Sequence, residues 1–452
     1  MTKQENNDNR HRPNIPPLRF RGFTDPWQRK QLGEIGQFKS NGVDKTINQE
    51  DQQINLLNYM DVYTQRIVTA ENCGALMQVT AKQRQLRENN ILAGDVFFTP
   101  SSETPEDIGR VTVIEEDLPN TCYSYHLMRY RPSEGVFFKL FPKYAFSGME
   151  MRRQLVFEAQ GVQRFVLSKE NFENLTATFP SLAEQEKIGS FFRALDELIA
   201  AREAELEKLR QMKAALLDAM FPSDAPVERV ARATAHTLYD SLLDHTLQAW
   251  DIVPTETSTP HTPRLRFRGF TDPWQRTQLG NVFHLKTDRV DLHDLSTVRY
   301  ISTEDMLQDF QGVTSSSNPP MSYSVVRFSK GDILMANIRP YLKKVWLADS
   351  EGGCSTDVIV FSPKDSHNSR FLYHELANDR FIEYVMDGAQ GIKMPRGNKE
   401  TMKDYTLYVP SLAEQKQIGA FFRSQDEGIA TATEQIDKLK RIKQACLKQM
   451  FV

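Results

Sequence analysis

Two stretches of the chain carry apolar residues at helical spacing, and they match each other. In the first, Ile188, Phe191, Leu195, Leu198, Leu209, Met212 and Leu216 fall on the a and d positions of one heptad frame. Phe192, Ile199, Leu206 and Met220 widen that stripe, while Arg202 and Glu205 interrupt it. The same frame returns 230 residues later with Ile418, Phe421, Ala432, Leu439, Ile442 and Cys446, where Gln425, Gly428 and Gln435 are poor core residues. Each stretch opens on the same run, Pro-Ser-Leu-Ala-Glu-Gln, at Pro180 and Pro410. Ser181 and Ser411 read as N-caps, with Glu184 and Glu414 three residues on, the capping-box pattern. Two helices of about 40 residues, roughly 60 Å long, are predicted. Their seams are too broad and broken for long independent coiled coils. They suit two helices packed on each other within one chain, with apolar surface left for other subunits; homo-oligomerisation through the same seam is the alternative.

Before each helix the pattern changes to short β-type runs set off by Gly, Pro, Asn and Asp. Gly94–Thr99 and Arg110–Glu115 are such runs in the first half, and Gly331–Ala336, KKVWLA and STDVIVFS in the second. Helical patches such as Arg370–Met386 are interspersed. Each segment ends on a glycine turn carrying polar and basic residues (Gln163 and Arg164; Lys393 and Arg396), followed by a short capped helix and a strand. A block from Leu18 to Gly33 returns from Leu265 to Gly280, with Lys30 and Thr277 the one difference. It reads either as a loop plugged onto its own domain or as a surface docked on the long helices or a partner. Such self-similarity decides the fold before anything else. The predicted divisions are a disordered tail (1–16), a mixed α/β domain (17–179), a long helix (180–221), a partly helical linker (222–264), a second mixed domain (265–409) and a second long helix (410–452). Thr255–Pro263 within the linker reads as a flexible tether, and its His236, His245 and His261 as solvated.

Composition adds exclusions. At 452 residues, 40% hydrophobic and 25% charged, the chain can bury real cores. A net charge of -3 gives no global nucleic-acid signal, so any DNA binding must use a local basic surface. Cys73, Cys122, Cys354 and Cys446 form no CxxC pair and no zinc spacing, which fits reduced cytoplasmic thiols. The amino-terminal residues lack the apolar core of a signal peptide, and no apolar run approaches a membrane span. Asn318-Pro319-Pro320-Met321 approaches an amino-methyltransferase motif, but Met stands where the base-stacking aromatic belongs. There is no P-loop and no nuclease-type acidic set, so no catalytic residue and no metal ligand is assigned. What remains is basic: Lys82, Arg84 and Arg87 in one run, Arg152 and Arg153 in another, and Arg339, Tyr341, Lys343 and Lys344 in a third. Each run alone is ordinarily a solvated face. As DNA contacts, Lys and Arg would neutralise phosphates, and Arg or Gln could pair with base edges.

The helix starts at Pro180 and Pro410, the Gly331–Val345 stretch, and the Gly-Val-Gln and Gly-Ile-Lys turns together resemble the specificity subunit of type I restriction-modification systems. The resemblance runs over nearly the whole chain, in both halves. It implies an α+β fold: two mixed α/β target-recognition domains separated and supported by two long antiparallel, coiled-coil-like helices, with a pseudo-twofold internal repeat. It implies a non-catalytic subunit in which each domain reads one half of a bipartite, asymmetric site on double-stranded DNA. The helices would set the spacing, the half-sites lying one helical turn apart, about 34 Å. The apolar helix positions would be the spacer and subunit interface. Two modification (methyltransferase) subunits would dock there, joined by restriction subunits acting as translocase and nuclease. S-adenosylmethionine, ATP and Mg would be bound by those partners and not by this chain.

Overall fold

A computed structural model describes residues 14–222, 240–255, 261–291, 299–314 and 324–452. The chain forms two compact units, one made of residues up to 203 with 435–452, the other of residues 204–434. No helix among the described residues is long and apolar enough to cross a membrane. Asn318–Met321 and His236 lie outside the described residues.

Both units are built on one four-stranded antiparallel sheet of the same order. In the first unit the order is Gly36–Lys39, Met128–Pro132, Val96–Phe98, Val111–Val113. In the second it is Phe283–Lys286, Val358–Pro363, Ile333–Ala336, Val345–Leu347. The predicted β-runs are strands of this sheet. Its matched turns are Gly94-Asp95 and Gly331-Asp332, both glycines at positive φ. Asp95 accepts from the Leu92 N–H at 2.9 Å and pairs with Arg131 at 2.6 and 2.7 Å. Asp332 accepts from the Ser329 N–H at 2.7 Å and pairs with Lys286 at 2.6 Å. A buried carboxylate thus closes the turn and ties it to another strand of the same sheet, which offsets its desolvation.

The second sheets differ. In the first unit the order is Met77–Ala81, Gln52–Leu57, Leu118–Tyr123, Asn90–Ile91, with the parallel pair in the middle. In the second it is Arg289–Asp291, Ser324–Phe328, Gly352–Cys354, Tyr300–Ile301, with the parallel pair at one edge. One frame therefore carries two different interiors.

The long helices are Leu182–Met220 and Leu412–Met450. The core of the first unit takes Ile188 and Phe192 from the start of the first helix and Met450 from the end of the second. Phe451 lies against Trp27, Phe141 and Phe192. The core of the second unit takes Ile418, Phe421 and Phe422 from the start of the second helix and Met212, Leu216, Met220 and Phe221 from the end of the first. Matched ion pairs accompany this exchange: Lys443–Asp196 at 2.5 Å in the first unit and Lys213–Asp426 at 2.5 Å in the second. Within the first unit, Lys440–Glu203 and Lys443–Asp196 step in opposite directions along the two helices, so the paired segments are antiparallel. The buried stripe is turned from the heptad reading. Phe192, Ile199, Leu206 and Met220 are buried, while Leu198 and Ile442 are 43% and 42% exposed. Leu195 is also buried; Phe191, Leu209 and Leu439 are partly so.

The shared run at each helix start has a physical basis. Arg19 donates to both oxygens of Glu184 at 2.7 and 2.8 Å, and Arg266 does the same to Glu414 at 2.7 and 2.8 Å. The glutamates therefore clamp the repeated block, a use beyond the capping box expected of them; Ser411 Oγ still accepts from the Glu414 N–H at 3.4 Å. Gln185 donates to the Pro180 and Val136 carbonyls and accepts from the Phe138 N–H at 2.9 Å. Gln415 donates to the Pro410 carbonyl and accepts from the Asn368 N–H at 2.9 Å. A Cβ on Gly189 would sit 2.9 Å from the Leu140 side chain, and one on Gly419 would sit 2.6 Å from Asn368 Oδ1. Glu-Gln and Gly are thus the residues that let each helix start lie flat on its domain. The repeated block joins both of its alternatives: Gln28–Gln31 pairs with Thr176–Phe179, and Gln275–Gln278 with Thr406–Val409, while buried Trp27 and Trp274 reach the helix-end phenylalanines.

Two expectations are corrected. Asn14, assigned to a disordered tail, exchanges hydrogen bonds with the Trp27 backbone. The linker holds a helix, Asp240–Ala249; residues 256–260, the middle of the stretch read as a tether, lie outside the described residues, while Thr255 Oγ1 donates to the Pro263 carbonyl at 2.6 Å beside the antiparallel pair Ile252–Pro254 and Leu265–Phe267. His261, read as solvated, lies 2.8 Å from Tyr408 Oη and stacks on its ring; His245 is exposed as expected. The Arg370–Met386 patch is two helices, Ser369–Leu376 and Asp379–Asp387, because Asn378 caps the second by accepting from the Phe381 N–H.

Glu375, buried in the second unit, faces Tyr405 at 3.5 Å and the field of Arg380. Burial pushes its carboxyl from 4.5 up to about 7. The folded chain then keeps a proton that the unfolded chain releases, so this group's stabilisation is lost as pH rises from about 4.5 to about 7. Glu375→Gln should remove that loss and stabilise the second unit at pH 8 by on the order of 3 kcal/mol. Denaturation of wild type and variant at pH 5 and pH 8 checks this; an equal difference at both pH values would refute it.

Candidate nucleic-acid interface

In the second unit, folding brings two separate basic runs together. The loop after Ile333–Ala336 and the glycine turn before the capped helix are laced by backbone bonds. The Arg339 N–H donates to the Pro395 carbonyl at 2.8 Å, the Gly397 N–H to Asn337 at 3.2 Å, and Gln390 and Arg396 exchange bonds at 2.8 Å. Arg339 and Lys343 both sit at positive φ, 51° and 54°, where non-glycine residues are strained. That geometry turns Arg339 outward and leaves Tyr341 47% exposed. Arg396 is exposed and pairs with Asp357 at 2.8 Å; Lys393 is exposed at the tip. Lys343 and Lys344, read with them, are only partly exposed: Lys343 pairs with Asp379 at 2.8 Å, and Lys344 donates to the Thr303 carbonyl at 2.7 Å.

The equivalent region of the first unit is pinned to the strand Ser101–Ser102, which pairs with Phe165–Val166. Arg164 donates to Ser101 Oγ at 3.2 Å, and Gln163 is exposed beside it. Tyr59 donates to the Ser101 carbonyl at 2.7 Å and stacks on Tyr63 at 5.8 Å, over which Arg110 lies at 5.7 Å. Tyr125, 47% exposed, lies against the His126 ring, tilted to it with centroids 3.9 Å apart. Burial, then the fields of Lys45 and Arg164, hold the His126 imidazole below its ordinary range, so it is neutral at pH 7. Lys45, Tyr59, Tyr63, Arg110, Tyr125 and His126 escaped the sequence reading. No motif joins them; they come from separate segments that only the fold collects.

The remaining basic residues are placed elsewhere. Lys82, Arg84 and Arg87 flank or occupy the helix Gln83–Glu88, where Arg84 pairs with Glu88 at 2.7 Å and Leu86 packs on the second sheet. Arg153 pairs with Glu150 at 2.6 Å. Arg152 is half-buried and donates to the Glu106, Ile108 and Gly109 carbonyls, so its donors serve the fold. Among the described residues no cluster of His, Cys, Asp and Glu could hold a metal ion. Each unit thus presents guanidinium, ammonium and aromatic groups on loops held by a rigid sheet, a set suited to phosphates and base edges.

The family model for the type I restriction modification DNA specificity domain matches residues 24–211 and 271–441. The chain is 27% identical over 139 residues to the EcoDI specificity subunit of the type I restriction enzyme from Escherichia coli, a stretch that is 30% of this chain and 28% of that relative's length. The S subunit of a type I restriction-modification system from M. genitalium shares the fold, with a TM-score of 0.53 at 14% identity over 97% of this chain and 99% of that one. A chain from a structure of the type I R-M system does so with a TM-score of 0.51 at 14% identity, covering 94% and 97%.

Proposed function

Since the chain belongs to the family of type I restriction-modification DNA specificity domains, we propose that each of its units reads one half of a bipartite, asymmetric site on double-stranded DNA. The observation that carries this is the pairing of one repeated sheet with two different second sheets. A shared frame with unlike interiors suits two readers of unlike sequence. In this reading the target-recognition domains are residues 17–179 and 265–409. Arg339, Tyr341, Lys393 and Arg396 in one, and Gln163 and Arg164 with the neighbouring Tyr59 and Arg110 in the other, meet the duplex. Lysines and arginines hold phosphates and set register, while base edges carry the sequence information.

The chain supplies the address and no chemistry. The long helices set the separation of the half-sites and dock two modification subunits, with Leu198 and Ile442 among the apolar residues available to them. S-adenosylmethionine, ATP and Mg belong to the modification and restriction subunits, and the complex works in the cytoplasm.

Exchange of residues 34–179 for the corresponding segment of another such chain tests the reading. Methylome sequencing of cells carrying the chimera and its methyltransferase partner should show one half-site replaced and the other retained. A change in both, or in neither, refutes the modular assignment.

A further inference from the structure

We propose that Val162 and Ile392 are matched apolar wedges that enter a groove of duplex DNA, one at each half-site, and pack against the bases there. The inference rests on the reading of each unit as a DNA reader.

The two residues occupy the same place in the repeat, each directly after the glycine of the turn. Val162 is 93% exposed and Ile392 100%. A single aliphatic residue in water is ordinary on any surface. Two at equivalent positions, both on tied-down tips, are a repeated feature of the fold.

The tips are held at their bases. Gln160 and Val166 exchange backbone hydrogen bonds of 3.1 and 2.9 Å, and Gln390 and Arg396 exchange bonds of 2.8 Å. Residues 161–165 and 391–395 are therefore closed turns of equal length. Gly161 stands at φ 138° and Gly391 at φ 93°, and a Cβ on Gly161 would collide with the Arg164 carbonyl, so the turn demands glycine there. Behind each tip an apolar residue anchors the turn, Phe165 partly buried and Pro395 buried. A side chain carried on such a base loses little freedom on binding.

Charge selects the occupant. Gln163 and Arg164 follow Val162, and Lys393 and Arg396 follow Ile392, all of them exposed. An aliphatic tip rimmed by cations matches bases flanked by phosphates, and aliphatic residues pushed between base steps are an established way of gripping a groove.

The test uses the full chain assembled with its methyltransferase subunits. The wild-type complex first selects its target from a pool of duplexes with a randomised core. Binding to that target is then measured for Val162→Ala and Ile392→Ala, with 2-aminopurine placed in turn along each half-site to report base stacking. Each substitution should weaken binding about tenfold and abolish the 2-aminopurine signal in one half-site only, a different one for each variant, with assembly unchanged. Val162→Lys and Ile392→Lys should fail to restore the signal. Wild-type affinity and signal in both alanine variants would overturn the inference while leaving the DNA-reading proposal intact. Impaired assembly with unchanged DNA binding would assign the tips to a protein partner instead. A wild-type complex that selects no sequence would bring down both proposals.

Discussion

Arg266→Met should destabilise the second unit by about 3–5 kcal/mol, the cost of leaving a buried charge without its partner. Glu414 is 1% exposed at its side chain and Arg266 5%. Arg266 delivers two donors to the carboxylate and a third to the Asp272 carbonyl. Methionine fills the same tunnel but returns none of these bonds, so Glu414 must take up a proton or drag in water. Arg266→Met/Glu414→Met should recover most of the loss, because two apolar residues of similar volume leave no buried charge behind. Since the chain has two units, hydrogen exchange read separately over residues 204–434 and over the rest is the suitable measurement. A double variant as unstable as the single one would show that the pair acts as more than mutual compensation. Arg19→Met should repeat the effect in the first unit at smaller size, because the Arg19 side chain is 12% exposed.

Phe221→Ala should cost about 3–5 kcal/mol, as expected for emptying a fully buried aromatic site. Its ring lies 5.3 Å from Phe371, 5.9 Å from Phe422 and 6.4 Å from Trp274, and its carbonyl accepts from Arg380 at 3.0 Å. The equivalent Phe451 meets Trp27, Phe141 and Phe192 but is only partly buried, so Phe451→Ala should cost less, about 2–3 kcal/mol. Protection from exchange should fall in the second unit for Phe221→Ala and in the first for Phe451→Ala. Equal losses in both units from either change would contradict the assignment of each phenylalanine to one core.

The long helices, the sheet strands and the capped turns could be read from the sequence because each is written locally, in spacing or in a cap, and then written twice. Ser168 caps its helix as its neighbours suggest, by accepting from the Asn171 N–H, and Asn398 does likewise for its own. The rotation of the buried stripe could not be read, because a heptad frame assumes that each helix meets only another helix. Here the first turns face a domain, so Phe192 sinks fully and Leu198 turns outward. The use of Glu184 was hidden for a similar reason: its partner Arg19 lies in a block far upstream, and a capping pattern already accounted for the carboxylate. His261 looked solvated until Tyr408, remote in sequence, supplied its partner. The aromatic cluster of the first unit was the least legible part. Tyr59, Tyr63 and Arg110 are unremarkable in their own neighbourhoods, and only the fold makes Arg110 their neighbour.

The position of Phe451 has a consequence in time. A ribosome delivers the first unit's strands early, and the repeated block with its tryptophan earlier still. Yet the ring that meets Trp27, and the Gln449 carbonyl that receives the Leu18 N–H, emerge only after the whole second domain. Contacts of such sequence separation carry the largest loop-closure cost and form last. The domain that is made first is therefore completed last, whereas Phe221 is already present when the second domain begins to appear. Until the helix turns before Phe451 arrive, the nascent protein holds one open aromatic core, which makes that interval a period of exposure to aggregation.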